Sequence, residues 1–391
     1  MAAQSDLWTN AFLDDMRTHG DPEADEAMAV VFEEGGRQAQ AVLGVIESLV
    51  KNSDPTPENL PRALHAYLEK TSKVPAPVLP NVKLGEDAFA DHGPEIFCLL
   101  ACYSLPAAYG ARKGAQVLAR TGQITERAHQ RLMLTSQMVL DVMQPGGLAA
   151  GGRGIRSAQK VRLMHAAVRH LLLNNPRAPW DLKELGVPIN QEDMAGTLMT
   201  FSYHIMHGLD QLGLSLTPAE QEAYLQSWQA VGHLMGVRPE LIPRTVADAK
   251  QLTAIIEARQ IAPSPEGKQL LQATLQMMYH ASPKFTHGIP PAVMRDLLPP
   301  NVSDFLGVPN STLHKWVLAM MVGVARTIDT LTRRRRWRAA VFRIVTVHLV
   351  QWMLDLELGR PARFEIPLEL ANAWNVQPSQ GPGIPVPTPS V

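Results

Sequence analysis

Apolar residues return every three to four positions through one segment of this chain after another, and no segment combines period-two alternation with Asn-Gly or Asp-Gly turns. That pattern predicts helices and leaves little room for a sheet. Segment 24–50 opens after Asp21-Pro22 with acidic residues in its first turn, and Gly35-Gly36 can divide it in two. Segment 57–69 begins with proline and sets Leu60, Leu64 and Leu68 on one stripe. Long helices are predicted over 123–143, stopped by Pro145-Gly146-Gly147, and over 157–173, closed by Asn174-Asn175-Pro176. Others are predicted over 191–213, 217–234, 246–259 and 265–279, with two more at 311–331 and 335–358. Thr217-Pro218-Ala219-Glu220 supplies an N-cap, a first-turn proline and a glutamate at the third helical position.

The uncharged stretch 96–111 is interrupted by Pro106 and is shorter than the ~20 apolar residues a membrane span needs. It reads as a buried helix followed by a turn. Proline-rich joints at 75–80 and 176–188 link helices, and 377–391, with five prolines, reads as an extended or disordered tail. The expectation is one all-α domain over 1–376, with its core at about 91–243, followed by that tail. The 46% hydrophobic content can fill a sizeable core. With 36 Lys+Arg against 37 Asp+Glu, no global positive field exists to draw a nucleic acid. The N-terminus shows neither a basic nor an apolar signal region, which gives the expectation of a cytoplasmic protein.

Several motifs carry little chemistry. The five glycines between Pro145 and Ser157 follow a helix rather than a strand and lack Gly-Lys-Ser/Thr, so they read as an interhelical loop. Cys98 and Cys102, four apart on one predicted helix, read as small core residues rather than a redox pair. Glu126-x-x-His129 has no second copy in the chain, as a di-iron bundle would need. The run Arg333 to Arg338 reads as a solvated turn, with a nucleic-acid, membrane or anionic-cofactor contact as other readings. His204, His207 and His233 read as helical histidines bonded to a carbonyl or a neighbour.

Arg162-x-x-His165-x-x-x-Arg169 is different. The spacing puts the three on one side of a helix among Leu163, Met164, Ala166, Ala167 and Val168, and no acid occurs between Pro145 and Trp180. Arginines among apolar residues need an anion. One reading pairs them with carboxylates elsewhere in the chain. Another makes His165 an axial ligand to haem, with the arginines on its propionates. A second helix holds Arg131 and Thr135 at i and i+4 amid Leu132, Met133, Leu134 and Met138, which suits either a packed helix with one extended arginine or the open side of a haem.

Arg131-x-x-x-Thr135 followed by Arg162-x-x-His165-x-x-x-Arg169 resembles the latex-clearing-protein (rubber oxygenase) family, which also contains fungal oxygenases of the mycophenolic-acid pathway. The resemblance continues through Pro188-Ile-Asn-Gln-Glu-Asp193, Thr200-Phe-Ser202, Leu209-x-x-Leu212-Gly213 and Tyr224-x-x-x-Trp228-x-x-Val231-Gly232. It implies a helical fold with a globin-like core around one b-type haem, His165 as the iron ligand, and Arg162 and Arg169 orienting its helix and meeting propionates or groups behind the ligand. It also implies Arg131, Leu134 and Thr135 on the open side, with dioxygen used on an apolar, alkene-containing substrate. Two positions depart from the family. Leu134 stands where rubber-cleaving members carry a lysine, and no acid lies between Glu95 and Glu126, where they carry a glutamate. These departures put a distal base, or a lysine as sixth iron ligand, in question. They also keep open an alternative in which the chain binds haem for sensing, storage or peroxidase-like work without oxygenase turnover.

Overall fold

A computed structural model describes residues 4–33, 60–74, 81–121, 124–280 and 282–310, with Gly323. The predicted helices at 311–331 (apart from Gly323) and 335–358, the arginine run 333–338, the tail 377–391, the joint 75–80 and all of 34–59 lie outside these described residues. Among the described residues every regular element is helical, and strand-like pairing is confined to one isolated bridge between Ala111 and Ile261. The all-α expectation holds. No described helix is long and apolar enough to cross a membrane.

The N-terminal section holds α1 (Asn10–Met16), capped by the Thr9 hydroxyl, α2 (Pro22–Glu33) and α3 (Arg62–Lys70). Next comes α4 (Val82–Asp91), whose interior glycine hid it from the periodicity. Gly85 is there for close approach: a Cβ on it would sit 2.7 Å from the Ala223 carbonyl oxygen of the helix packed against it. The 96–111 stretch is longer and more broken than expected. It runs as α5 (Gly93–Leu99), a π-helical turn at Leu100–Ser104 and α6 (Leu105–Tyr109). Pro106 has no N–H for the Cys102 carbonyl, and the wide turn lies immediately before it. Cys102 is core as expected, whereas Cys98 is exposed; both are free thiols.

Two long helices follow α7 (Arg112–Arg120): α8 (Ile124–Met143) and α9 (Arg153–Leu173). The glycine loop between them is an interhelical turn, closed by Gly154 N–H donating to the Gly147 carbonyl at 2.9 Å. A Cβ on Gly154 would stand 2.7 Å from the Cα of Val142, so this crossing of α8 and α9 needs glycine. The joint 176–188 contains a short α10 (Leu182–Leu185). The predicted helix 191–213 is two helices, α11 (Gln191–Phe201) and α12 (Tyr203–Gln211). Ser202 breaks them, its buried hydroxyl donating back to the Leu198 carbonyl at 2.7 Å.

The capping box predicted at Thr217 and Glu220 opens α13 (Pro218–Leu234), and a second, Thr245 with Asp248, opens α14 (Val246–Gln260). The described chain ends with α15 (Pro265–His280), α16 (Ile289–Leu297) and α17 (Pro300–Leu306). One large core includes Phe89, Leu140, Met143, Tyr224 and Trp228. A smaller one joins Met28, Leu64 and Leu68 to Leu163 and Ala167. Helix α9 is thus covered on two sides, by α8 and by α2.

Candidate functional site

Apolar stripes at helical spacing leave a cavity of about 440 Å³ inside the bundle. Val161, Met164, His165 and Val168 of α9 form one wall, and Leu134, Thr135 and Met138 of α8 form another. Phe201 and Trp228, stacked at 5.2 Å between ring centroids, belong to α11 and α13, and α14 adds Thr253, Glu257 and Gln260. The volume is in the range of small-molecule and cofactor sites, and the lining is overwhelmingly apolar.

His165 is the polar group that α9 turns into this space. Its Nδ1 is buried with no hydrogen-bond partner among the described residues. Burial, helped by the nearby charge of Arg169, pushes its pKa down to about 3. The ring is therefore neutral at ordinary pH, the form that ligates metals. Among the described residues no three His, Cys, Asp or Glu side chains gather to hold a bare ion. A single imidazole in such a wall suits a cofactor that brings its other metal ligands, as a porphyrin does.

The two arginines do not share the cavity with His165. They sit on the adjoining face of α9, toward α2. Arg162 bonds both oxygens of Asp21 and reaches Glu23 at 2.7 Å, with its guanidinium 5.6 Å from the Tyr67 ring centroid. Arg169 donates to Asp25 at 2.7 Å and to the Ile189 carbonyl at 3.1 Å. The carboxylates come from elsewhere in the chain, one of the readings the sequence left open: Asp21 just before α2, and Glu23 and Asp25 in its first turn. A step of three or seven residues is not a whole number of helical turns, so His165 is rotated about 60° from Arg162, enough to separate the two environments. Burial still holds the Asp25 carboxyl above its ordinary range despite Arg169, whereas Lys70 and Arg162 outweigh burial at Glu23 and bring it below.

Leu134 and Thr135 line the cavity, on the wall contributed by α8. Arg131 and Glu126 are on the same helix, and their side chains, like that of His129, are outside the described residues. His204 bonds a neighbour, its Nε2 lying 2.9 Å from Glu257, and stacks on Tyr103 at 5.1 Å. His207 stacks on Tyr203 at 5.8 Å.

Three features escaped sequence reasoning. The α14 stripe Thr253, Glu257 and Gln260 lines the cavity, and its i, i+4, i+7 spacing was the available signal. Glu192, fully buried, takes hydrogen bonds from Arg17, Arg259 and Gln260 at 2.7–3.1 Å and ties α1, α11 and α14 together. Ile189 lines the cavity with φ of 51°, a left-handed backbone that a β-branched residue rarely adopts.

The family model described as "ER-bound oxygenase mpaB/B'/Rubber oxygenase, catalytic domain" matches residues 96–327, which include α8, α9 and every cavity wall described above. The chain belongs to this family. A rubber oxygenase from Streptomyces sp. (strain K30) is 26% identical over 309 residues, covering 76% of this chain and 73% of the relative. The solved structure of a latex clearing protein, LCP, in its closed state superimposes with a TM-score of 0.67 at 23% identity, over 90% of this chain and 91% of that one. That likeness supports the helical fold seen among the described residues.

Proposed function

We propose that this protein is a haem-dependent oxygenase in which a b-type haem occupies the cavity on His165 and dioxygen is used on a small apolar, alkene-containing substrate. The observation that carries the reading is the His165 ring: neutral, its Nδ1 without a hydrogen-bond partner among the described residues, and set in the wall of an apolar cavity sized for a cofactor. Family membership supports the oxygenase class, and a relative named a rubber oxygenase supports an unsaturated hydrocarbon as the substrate type.

When bound, the haem supplies the iron at which dioxygen is activated. The chain's own residues do the rest. His165 offers a lone pair that burial keeps free of a proton. Arg162 and Arg169, locked to the carboxylates of α2, fix the rotation of α9 and so aim that ring. Helices α8 and α9 serve as the two faces of a globin-like pocket. Thr135 brings a hydroxyl that can hydrogen-bond on the open side, and Arg131 shares its helix. Leu134, Met138 and Val168 exclude water and hold an apolar substrate by contact area.

Absorption spectra of the purified protein, oxidised and reduced, test the reading. A Soret band is expected, and His165→Ala should abolish it while helical circular dichroism persists. A normal haem spectrum in that variant overturns the ligand assignment. The wall formed by Leu134, Thr135 and Met138 contains no acid, which favours a second reading of haem binding without turnover. Oxygen uptake with an added alkene separates the two.

A further inference from the structure

A histidine that holds a metal through one ring nitrogen usually donates the hydrogen of the other to a carboxylate, a carbonyl or water, and that bond makes the ligating nitrogen a stronger donor. His165 departs from this rule. Its Nδ1 is buried so fully that no space for a water molecule touches it, and no described residue offers it an acceptor. Sealing Nδ1 leaves Nε2 as the nitrogen available to a ligand in the cavity that His165 lines. A neutral ring that binds through Nε2 carries its hydrogen on Nδ1. The charge that bears on the ring is the guanidinium of Arg169, one turn further along α9, which has donors only. Arg169 spends its Nε on Asp25 and its Nη1 on the Ile189 carbonyl, and its Nη2 is buried without a partner among the described residues. Behind the ring stand an unbonded hydrogen and a cation. A buried donor left unmet is costly, and one at a ligand position calls for a functional reason.

We infer that His165 holds iron through Nε2 as an imidazole whose Nδ1 hydrogen is unbonded, and that the chain thereby keeps its haem electron-poor, suited to dioxygen on ferrous iron rather than to peroxide. The inference rests on the haem reading given above and separates two of its branches. Cleaving the O–O bond of a peroxide draws on electron density pushed from the axial ligand. An imidazole backed by a carboxylate supplies that push, whereas one with a bare N–H beside a guanidinium withholds it. The same poverty of electrons favours the reduced iron, and ferrous iron is the form that takes up dioxygen. The peroxidase-like alternative left open by the sequence therefore loses its support at the ligand itself, and the oxygenase keeps it.

Resonance Raman spectroscopy of the full-length, haem-loaded protein tests this through the iron–histidine stretch. The protein is reduced, and photolysis of its carbon monoxide complex clears any sixth ligand. Haem with 2-methylimidazole supplies two references: in water the ring hydrogen is bonded, and in toluene it is free. The protein band is expected at the toluene position, shifted below the aqueous one. A band at or above the aqueous position overturns the inference, because a hydrogen bond from Nδ1 strengthens the iron–nitrogen bond and raises the frequency. Guaiacol oxidation by hydrogen peroxide should run no faster than with the aqueous reference, and a faster rate overturns the exclusion of peroxide work. A preparation with no Soret band overturns the proposed function and this inference together. A Soret band with a high-frequency stretch overturns this inference alone.

Discussion

Arg162 grips Asp21 with two arms of its fork, Nε 2.5 Å from one carboxylate oxygen and Nη2 2.8 Å from the other. Asp21 is 2% exposed and Arg162 is 6% exposed, so neither partner can fall back on water. Breaking such a pair from one side leaves an uncompensated buried charge, whose cost is about 3–5 kcal/mol. Asp21→Ala leaves Arg162 only the more exposed Glu23 and should lose an amount at the lower end of that range in urea denaturation. The double variant Asp21→Leu with Arg162→Leu should recover a large part of it, because no charge is then stranded. Equal losses in the single and double variants would show that the pair is not the source.

The arginine clamp also marks where sequence reasoning reached its limit. Helical spacing was enough to find α8, α9, α13 and α14, and the Thr217 box was visible as a local signal. His165, Leu134 and Thr135 were legible as cavity-facing candidates because each sits on the inward stripe of its own helix. The anions were not, since Asp21, Glu23 and Asp25 lie more than 130 residues from the arginines they meet. Their signal was present in the acidic start of α2, but only tertiary packing says which helix receives it. Gly85 and Ser202 misled for a related reason. A glycine inside a helix and a serine ending one are both explained by a neighbour packed in space.

Ile189 should tolerate a substitution that is costly elsewhere. Its positive φ strains a β-branched side chain, and the Arg169 bond to its carbonyl helps hold the strained turn against the cavity. Truncating a well-packed isoleucine usually costs about 2–5 kcal/mol. Ile189→Gly removes the side chain and relieves the backbone at the same time, so the net change should be within about 1 kcal/mol. Thermal unfolding measures it. A loss of the full truncation size would mean that the left-handed turn carries no strain.

Gly154→Ala should act through helix spacing. The added methyl would press on the Cα of Val142 at the point where α8 and α9 cross, and backbone on both sides leaves it no flexible neighbour to displace. Overpacking of this kind costs about 1–3 kcal/mol. Because both helices wall the cavity, ligand retention should weaken together with the midpoint of unfolding. Ala158→Gly, on the same helix and fully buried, serves as a comparison that lowers stability without forcing the helices apart.

Asp141 should make stability depend on pH in the direction opposite to a simple salt bridge. It sits in α8 next to Gln137, at 2.9 Å, Arg153, at 3.3 Å, and the Ser157 hydroxyl, stapling α8 to the start of α9. Burial pushes its carboxyl above the ordinary 3.8, and the hydrogen bonds and the Arg153 charge do not bring it back. A raised pKa means that the folded protein takes up the proton before the unfolded chain does. The ionised form therefore costs stability near neutral pH, and that cost is lifted as pH falls through the raised value toward 3.8. Asp141→Asn has no proton to gain. The stability of the wild type relative to this variant should rise as pH is lowered from neutral toward 4, read by urea denaturation at each pH. A difference that stays flat, or falls, would show that the folded carboxyl titrates at or below its unfolded value.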